Sequence, residues 1–269
     1  MSEIIQTKNL SFRYDTELIF YRLNLSVKTG EWVTVIGPNG SGKTTLLKLL
    51  TGLLYNDSEI VIDGIRLKKN NLKTIRKKIG VIFDNVDNQF VTETVKSEIA
   101  FTMENLQYKR KEINHRIEKI ARQLKIEHLL DQDPHHLSGG EKQKVALASI
   151  LALKPKIILL DESFSMLDVN ERKEILDILK QIQKEEDLTI LNITHNLEEA
   201  YWGERLIVLY NRSILIDGPT LDVFAHDKLL NRAGLEIPFM VDLSMKLKLY
   251  GLIDRIILDM DELVDALWK

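Results

Sequence analysis

The run Trp32-Val33-Thr34-Val35-Ile36-Gly37-Pro38-Asn39-Gly40-Ser41-Gly42-Lys43-Thr44 decides how this chain folds. Its first five residues read as a short, mostly apolar strand, residues 37–42 as a glycine-rich turn, and the leucine-rich residues 45–54 as a helix. A glycine, four residues and then Gly-Lys-Thr, set between strand and helix, is the pattern of a phosphate-binding loop. The glycines let consecutive amides point into one cavity, and the helix that begins there adds its positive end. Lys43 is expected to reach the β- and γ-phosphates of a nucleotide, and the Thr44 hydroxyl to ligate Mg²⁺.

Two further strands are legible downstream. Residues 157–160, Ile-Ile-Leu-Leu, form an apolar run closed by Asp161-Glu162, and Thr189–Thr194 forms another. Buried strands of this kind deliver their last residues to the sheet edge where ligands bind. Asp161 is expected to hold Mg²⁺ through water, and Glu162 to orient or deprotonate an attacking water as general base. Helical patterns lie between the strands, so an α/β fold with a mostly parallel sheet is predicted. Between residues 112 and 130, Ile113, Ile117, Ile120, Leu124 and Leu129 recur as one buried helical stripe. Residues 205–217 read as a hairpin turning near Asn211-Arg212, and Gly218-Pro219 punctuates the chain before a helix-rich tail broken at Pro238 and Gly251.

The bulk numbers set limits. With 269 residues, 44% hydrophobic and 29% charged, the chain can bury one large core and carry a small appendage. It has no cysteine, so neither a disulfide framework nor a thiolate metal site is possible. A net charge of −3 gives no overall footprint for nucleic acid, and the basic run at 66–78 has no interleaved aromatics and reads as solvated surface. No apolar run approaches the ~20 residues that cross a bilayer, and the first ten residues are polar and charged where a signal peptide would be apolar. The expectation is a cytoplasmic chain that reaches a membrane only through a partner.

Leu137-Ser138-Gly139-Gly140-Glu141-Lys142-Gln143 precedes another helix-like segment. Small residues at a free helix N-terminus make a second phosphate site, with the Ser138 hydroxyl and the Gly140 amide as donors. In order and spacing, these three motifs resemble the ATPases of the ABC family. The resemblance implies a P-loop NTPase of the ABC type: a mostly parallel core sheet, an N-terminal antiparallel β subdomain, a helical subdomain at about 84–155, and a small C-terminal helical extension. It divides the chain into an ATPase domain, 1–218, and a dimerising extension, 219–269. ATP and Mg²⁺ are the implied cofactors. Tyr14 matches the position that stacks on adenine. Gly37, Pro38, Asn39, Gly40, Ser41, Gly42, Lys43, Thr44 and Thr45 match the phosphate loop, and Ser138, Gly139 and Gly140 the signature. Asp168, in Ser165-Met166-Leu167-Asp168, matches the D-loop aspartate that touches the opposite nucleotide site. His195 resembles the switch histidine on the γ-phosphate; the remaining histidines read as structural. Glu162 and His195 are thus the implied catalytic pair, with Thr44 and Asp161 on the metal.

One position departs from the pattern. Asp84 stands where the family has the glutamine that senses γ-phosphate and Mg²⁺, a charged and shorter side chain that would slow this subunit's own ATP site or make it asymmetric. In the resembled family one phosphate loop and one signature face each other only across two ATPase domains, so a second ATPase subunit, paralogous or identical, is expected. The segment 85–101 and Gly234-Leu235-Glu236-Ile237-Pro238-Phe239 resemble the ATPases of energy-coupling factor transporters, importers of vitamins or cobalt and nickel ions. The Ser-Met-Leu-Asp form of the D-loop looks like the first of their two paralogous ATPases. Partners are then a transmembrane coupling subunit and a substrate-binding membrane subunit, at the cytoplasmic face of the membrane. Asp87, Glu93 and Glu98 are candidate acceptors for arginines of the coupling helices. Another class of ABC transporter differs from this reading only in that segment and the tail. DNA-repair and ribosome-binding ABC ATPases carry a coiled-coil insertion or a second domain, which this sequence lacks. The cargo is not written in the sequence.

Overall fold

The computed structural model describes residues 2–84, 86–257 and 259–268, with the backbone alone for Asp87 and Asn88. The chain opens with β1 (Glu3–Tyr14) and β2 (Glu17–Lys28), then β3 (Trp32–Ile36), α1 (Lys43–Leu50), β4 (Glu59–Ile62), β5 (Ile65–Arg66), α2 (Leu72–Arg76) and β6 (Ile79–Ile82). Helices α3 (Val95–Asn105), α4 (Arg110–Leu124) and α5 (Gly139–Leu151) follow before the chain returns to the sheet as β7 (Ile157–Asp161). Helix α6 (Val169–Glu186) leads to β8 (Thr189–Thr194), and β9 (Arg205–Tyr210) pairs with β10 (Ser213–Pro219). The tail carries α7 (Thr220–Phe224), α8 (Asp227–Arg232), α9 (Phe239–Leu249) and α10 (Met260–Leu267).

The main sheet runs β10-β9-β3-β8-β7-β6, parallel throughout except for β10 on its edge. Strands β3, β7 and β8 are buried at every residue. Helices cover both faces of such strands, which explains their near-continuous apolar sequence. Alternate residues enter different cores, as the pleat requires. Val33, Val35, Ile157, Leu159, Leu191 and Ile193 pack with α1, whereas Trp32, Ile158, Leu160 and Ile190 pack with the helices α3 to α6.

The smaller sheet, β2-β1-β4-β5, is antiparallel. Its inward residues Ile5, Leu10, Phe20, Leu23 and Val27 join the core that holds α1. The expected antiparallel N-terminal unit, the parallel core sheet and the helical tail are therefore all present. The turn at Asn211-Arg212, with φ of 46° and 70°, also falls where the hairpin reading put it.

The stripe from 112 to 130 is not one helix. Helix α4 buries Ile113, Ile117, Ile120 and Leu124, and stops at Lys125, whose left-handed φ of 58° caps it. A 3₁₀ turn, Glu127–Leu129, then carries Leu129 into the same core. Likewise α1 begins at Lys43 and ends at Leu50, so the last residues of the predicted 45–54 helix form its terminal turns.

In the tail, Val223, Phe224, Leu230, Leu235 and Val241 pack against Ile36, Leu206 and Val208 of the sheet. A smaller cluster, Ile253, Ile257 and Leu263, closes against Met240, Leu243 and Leu247. Pro238 is the N-cap of α9, and Gly251 follows its end with φ 71°, the two breaks expected there.

Candidate active site

The parallel strands all point their carboxyl ends at one edge. There β3 releases the glycine turn, β7 ends in Asp161-Glu162, β8 ends just before His195, and β6 ends two residues before Asp84. The β6–β7 register, Ile82 opposite Leu160, and the β7–β8 register, Asp161 opposite Ile193, bring these chain-distant residues side by side.

The glycine turn folds back on itself and enters α1 through Gly42, whose φ of 99° suits only glycine. A Cβ at Gly42 would stand 2.7 Å from the Phe20 ring, so the small sheet also excludes a side chain there. The Lys43 ammonium donates to Gly37 O at 2.8 Å and to Pro38 O at 3.4 Å, and lies 3.7 Å from the Glu162 carboxylate. Burial lowers its pKa, with Glu162 and Asp161 opposing the shift. The buried Ser41 hydroxyl meets no hydrogen-bond partner among the described residues. Helix α1 has no acidic residue in its first turn, so its positive end stays open for an anion. Thr45 sits in that first turn, half-buried, beside Thr44.

The Thr44 hydroxyl donates to Asp161 Oδ1 at 3.2 Å. Asp161 is 5% exposed, and its pKa is pushed up to about 6 by burial; Thr44 and Lys48 oppose that, while the charges of Glu162 and Asp84 add to it. A hydroxyl and a buried carboxylate among like charges form a hard-oxygen pair short of positive charge, which suits Mg²⁺. Among the described residues no group of three or more His, Cys, Asp or Glu is placed to hold a metal by protein atoms alone.

Glu162 takes a left-handed φ of 51°, uncommon for a side chain with a Cβ. Its amide donates to Ile193 O at 2.8 Å, which fastens the turn to β8. Its Oε2 accepts from the His195 amide at 3.1 Å and lies 2.5 Å from His195 Nδ1. Lys43, Thr44, Asp161, Glu162, His195 and Asp84 are therefore gathered at one edge of the sheet.

The other predicted residues lie elsewhere. Ser138 caps α5: its hydroxyl accepts from Glu141 N at 3.3 Å and pairs with Glu141 Oε2 at 2.8 Å, and its amide donates to that carboxylate at 2.9 Å. Gly139 is exposed, and Gly140 is covered by the Glu171 carboxylate, 2.6 Å from where its Cβ would be. Asp168 caps α6, accepting from Glu171 N at 2.8 Å, and is flanked by the exposed Met166 and Val169. Tyr14 ends β1 with its half-exposed ring edge-on to Phe12, 5.0 Å between centroids. Leu137 and α5 belong to the helical core and α1, which the glycine turn enters, to the other, so the two glycine motifs head helices of different packing units.

One reading changes. Glu98 is not a free surface acid: it is buried, and its Oε2 accepts from Val91 N, Thr92 N and the Thr92 hydroxyl, each at 3.0 Å. A carboxylate used to tie a loop to α3 is not available to a partner's arginine. Glu93 is exposed, as expected, while Asn85 and the side chain of Asp87 lie outside the described residues. His115, His128, His135, His136 and His226 are surface residues. Sequence reasoning also missed Asn192 and Glu199, a buried pair beside His195 joined at 2.9 Å. The available signal was an asparagine inside an otherwise apolar strand.

The chain is similar to known proteins along its whole length. The family described as "ABC transporter" matches residues 20–165. Over 274 aligned residues the chain is 40% identical to the "Energy-coupling factor transporter ATP-binding protein EcfA1" of Halalkalibacterium halodurans, covering 100% of this chain and 98% of that protein. Among solved structures, CbiO1 of Clostridium perfringens, described as part of the ABC transporter complex cbiONQ, superposes with a TM-score of 0.81 at 28% identity, over 91% of this chain and 100% of that one. The bacterial cassette MJ0796, a dimer in a post-hydrolysis state with ADP and Pi, superposes with a TM-score of 0.71 at 30% identity, over 80% of this chain and 98% of that one.

Proposed function

The chain belongs to the ABC transporter family, and from that premise we propose that it drives the uptake of a vitamin or transition-metal ion as the ATP-hydrolysing subunit of an energy-coupling factor importer. The observation that carries the mechanism is the convergence of Lys43, Thr44, Asp161, Glu162 and His195 at one sheet edge. ATP lies along the glycine turn formed by residues 37–45, its phosphates on the backbone N–H groups that follow Pro38 and on the N-terminus of α1, with Tyr14 on adenine. Lys43, pinned by two carbonyls, presents its ammonium to the β- and γ-phosphates without reorganising. Thr44 and Asp161 would hold Mg²⁺, with Asp84 as a further carboxylate beside them; the ion supplies neutralisation of phosphate charge. Glu162 takes a proton from water as the water oxygen bonds to the γ-phosphorus. The bond to the β–γ bridging oxygen breaks, and ADP leaves with the electron pair. His195, hydrogen-bonded to Glu162, orients that carboxylate and meets the γ-phosphate.

Ser138, Gly139, Gly140 and Asp168 serve the nucleotide of a second ATPase subunit, so each ATP is held between two chains. Their separation from the glycine turn within this chain supports that reading. Residues 1–218 act as the ATPase domain and 219–269 as a pairing extension, although the first tail helices share a core with the sheet. Among the described residues no helix is long and apolar enough to cross a membrane. Contact with the membrane runs through a coupling subunit and a cargo-binding subunit, at the cytoplasmic face. The test is Glu162→Gln in the co-expressed complex: ATPase turnover falls at least ~100-fold while ATP affinity stays within a few fold. Turnover retained within about twofold would remove Glu162 from the mechanism.

A further inference from the structure

Strand β8 reads Thr-Ile-Leu-Asn-Ile-Thr, and all of it is buried. Asn192 is thus a primary amide inside an apolar sheet. Its Nδ2 donates to Glu199 Oε2 at 2.9 Å, while its Oδ1, equally enclosed, meets no donor among the described residues. An enclosed amide oxygen is seldom left without a donor. Glu199, on the 3₁₀ turn Leu197–Trp202, is 1% exposed. Glu199 accepts from the Thr194 hydroxyl as well as from Asn192, so it is Asn192 Oδ1 that lacks a partner, and the carboxyl already bonded to the same amide becomes a donor to it once it carries a proton.

We propose that Glu199 is a positioning residue for hydrolysis: as the neutral acid it donates its O–H to Asn192 Oδ1 while accepting from Asn192 Nδ2, and this doubly bonded pair staples the turn that carries His195. Asn192 precedes His195 in the strand and Glu199 follows it, so the pair closes the turn across its base. Close to His195 the bonds within the turn are local, Asn196 N to Thr194 Oγ1 at 3.0 Å, Glu198 N to Asn196 Oδ1 at 2.9 Å and Glu199 N to Asn196 O at 3.2 Å, while Lys180 and Asp177 hold its far end at Trp202. Both the amide and the ring of His195 reach Glu162, so a turn that drifts removes two bonds from the general base at once. The surroundings favour the proton-bound form. Burial raises the Glu199 pKa, the Asn192 bond, the Arg172 charge and the Thr194 hydroxyl oppose it, and the Glu162 charge adds to it.

The role in turnover rests on the proposed ATPase function, whereas the proton does not, and two measurements separate them. Infrared difference spectra of the assembled complex at neutral pH, wild type against Glu199→Gln, are expected to show loss of a protonated-carboxyl band. Glutamine can donate to Asn192 Oδ1 and accept from its Nδ2 in the same pattern, so Glu199→Gln keeps kcat within about twofold. Glu199→Leu and Asn192→Leu lower kcat more than about tenfold with KM for ATP within about twofold. Should the leucine variants not fold, Glu199→Asp, an acid one methylene short, carries the same expectation. Carboxylate bands in place of the acid band, or a Glu199→Gln loss as deep as that of Glu199→Leu or Glu199→Asp, overturn the proposal. A wild-type complex without ATPase activity would instead overturn the parent reading and leave the infrared result standing.

Discussion

Asp161 concentrates the electrostatics of the site in one residue. Its ordinary pKa of 3.8 rises to about 6 because burial and the charges of Glu162 and Asp84 outweigh the Thr44 bond and Lys48. In the metal-free chain the folded state therefore holds this proton more tightly than the unfolded state, and the slope of stability with pH is negative across that window. Below pH 3.8 both states are protonated and there is no cost; the cost grows as pH rises and is complete above about 6. The interval corresponds to about 3 kcal/mol. Asp161→Asn is accordingly expected to raise the melting temperature of the chelator-treated protein at pH 8, and the gain should vanish near pH 4. Thermal melts across that range check it, and a gain that is the same at both ends would show that burial of the charge is not its source. The same lack of positive charge is what Mg²⁺ would correct when nucleotide binds.

At the scale of elements, α5 shows how one N-terminus can serve two purposes. Ser138 and Glu141 form a reciprocal capping box that satisfies orphan amides at the start of the helix. The Ser138 backbone and hydroxyl are also what hold the Glu141 pKa down. Ser138→Ala and Glu141→Ala each break the box, so each is expected to cost about 1 kcal/mol and lower the melting temperature by a similar small amount. Only Ser138→Ala removes the hydroxyl assigned to the nucleotide of the neighbouring subunit. The complex carrying it should lose several times more ATPase activity than the one carrying Glu141→Ala. Equal losses in turnover would reduce Ser138 to a helix cap. Helix α3 makes the complementary point, since buried Glu98 ties the 91–92 loop to it and leaves the exposed Val91 and Phe101 as the apolar features nearby.

For the whole molecule, the proposed function makes this chain one half of a paired ATPase. Helix α1, which the glycine turn enters, packs in one core, the Ser138 motif heads a helix in another, and exposed Met166 and Val169 flank Asp168, downstream of both motifs. The tail likewise leaves Leu249, Tyr250 and Trp268 about four-fifths exposed around a small core of its own. Pairing of two such chains would cover both sets of apolar residues and complete both nucleotide sites. ATPase activity per subunit should therefore fall as the complex is diluted through its dissociation range. A rate per subunit that stays constant far below that range would mean that one chain is a complete enzyme.

The phosphate loop, the Asp161-Glu162 pair and His195 were legible in the sequence because each is local. A strand, a turn and a helix start fall within a few consecutive residues, and parallel strands bring their ends together whatever the surrounding detail. The parallel sheet followed for the same reason, from runs too apolar to face water. The end of α4 at Lys125 was not legible, because the apolar spacing continues through Leu129 while the backbone turns left-handed. Nor was the burial of Glu98, which depends on a loop folding back over α3. The Asn192–Glu199 pair was hidden for a related reason: an asparagine in a strand and a glutamate in a turn look solvated until packing removes the water from both. Contiguous sequence thus determines which groups the parallel strands gather at one edge, and tertiary packing decides which polar groups lose their solvent and must find one another.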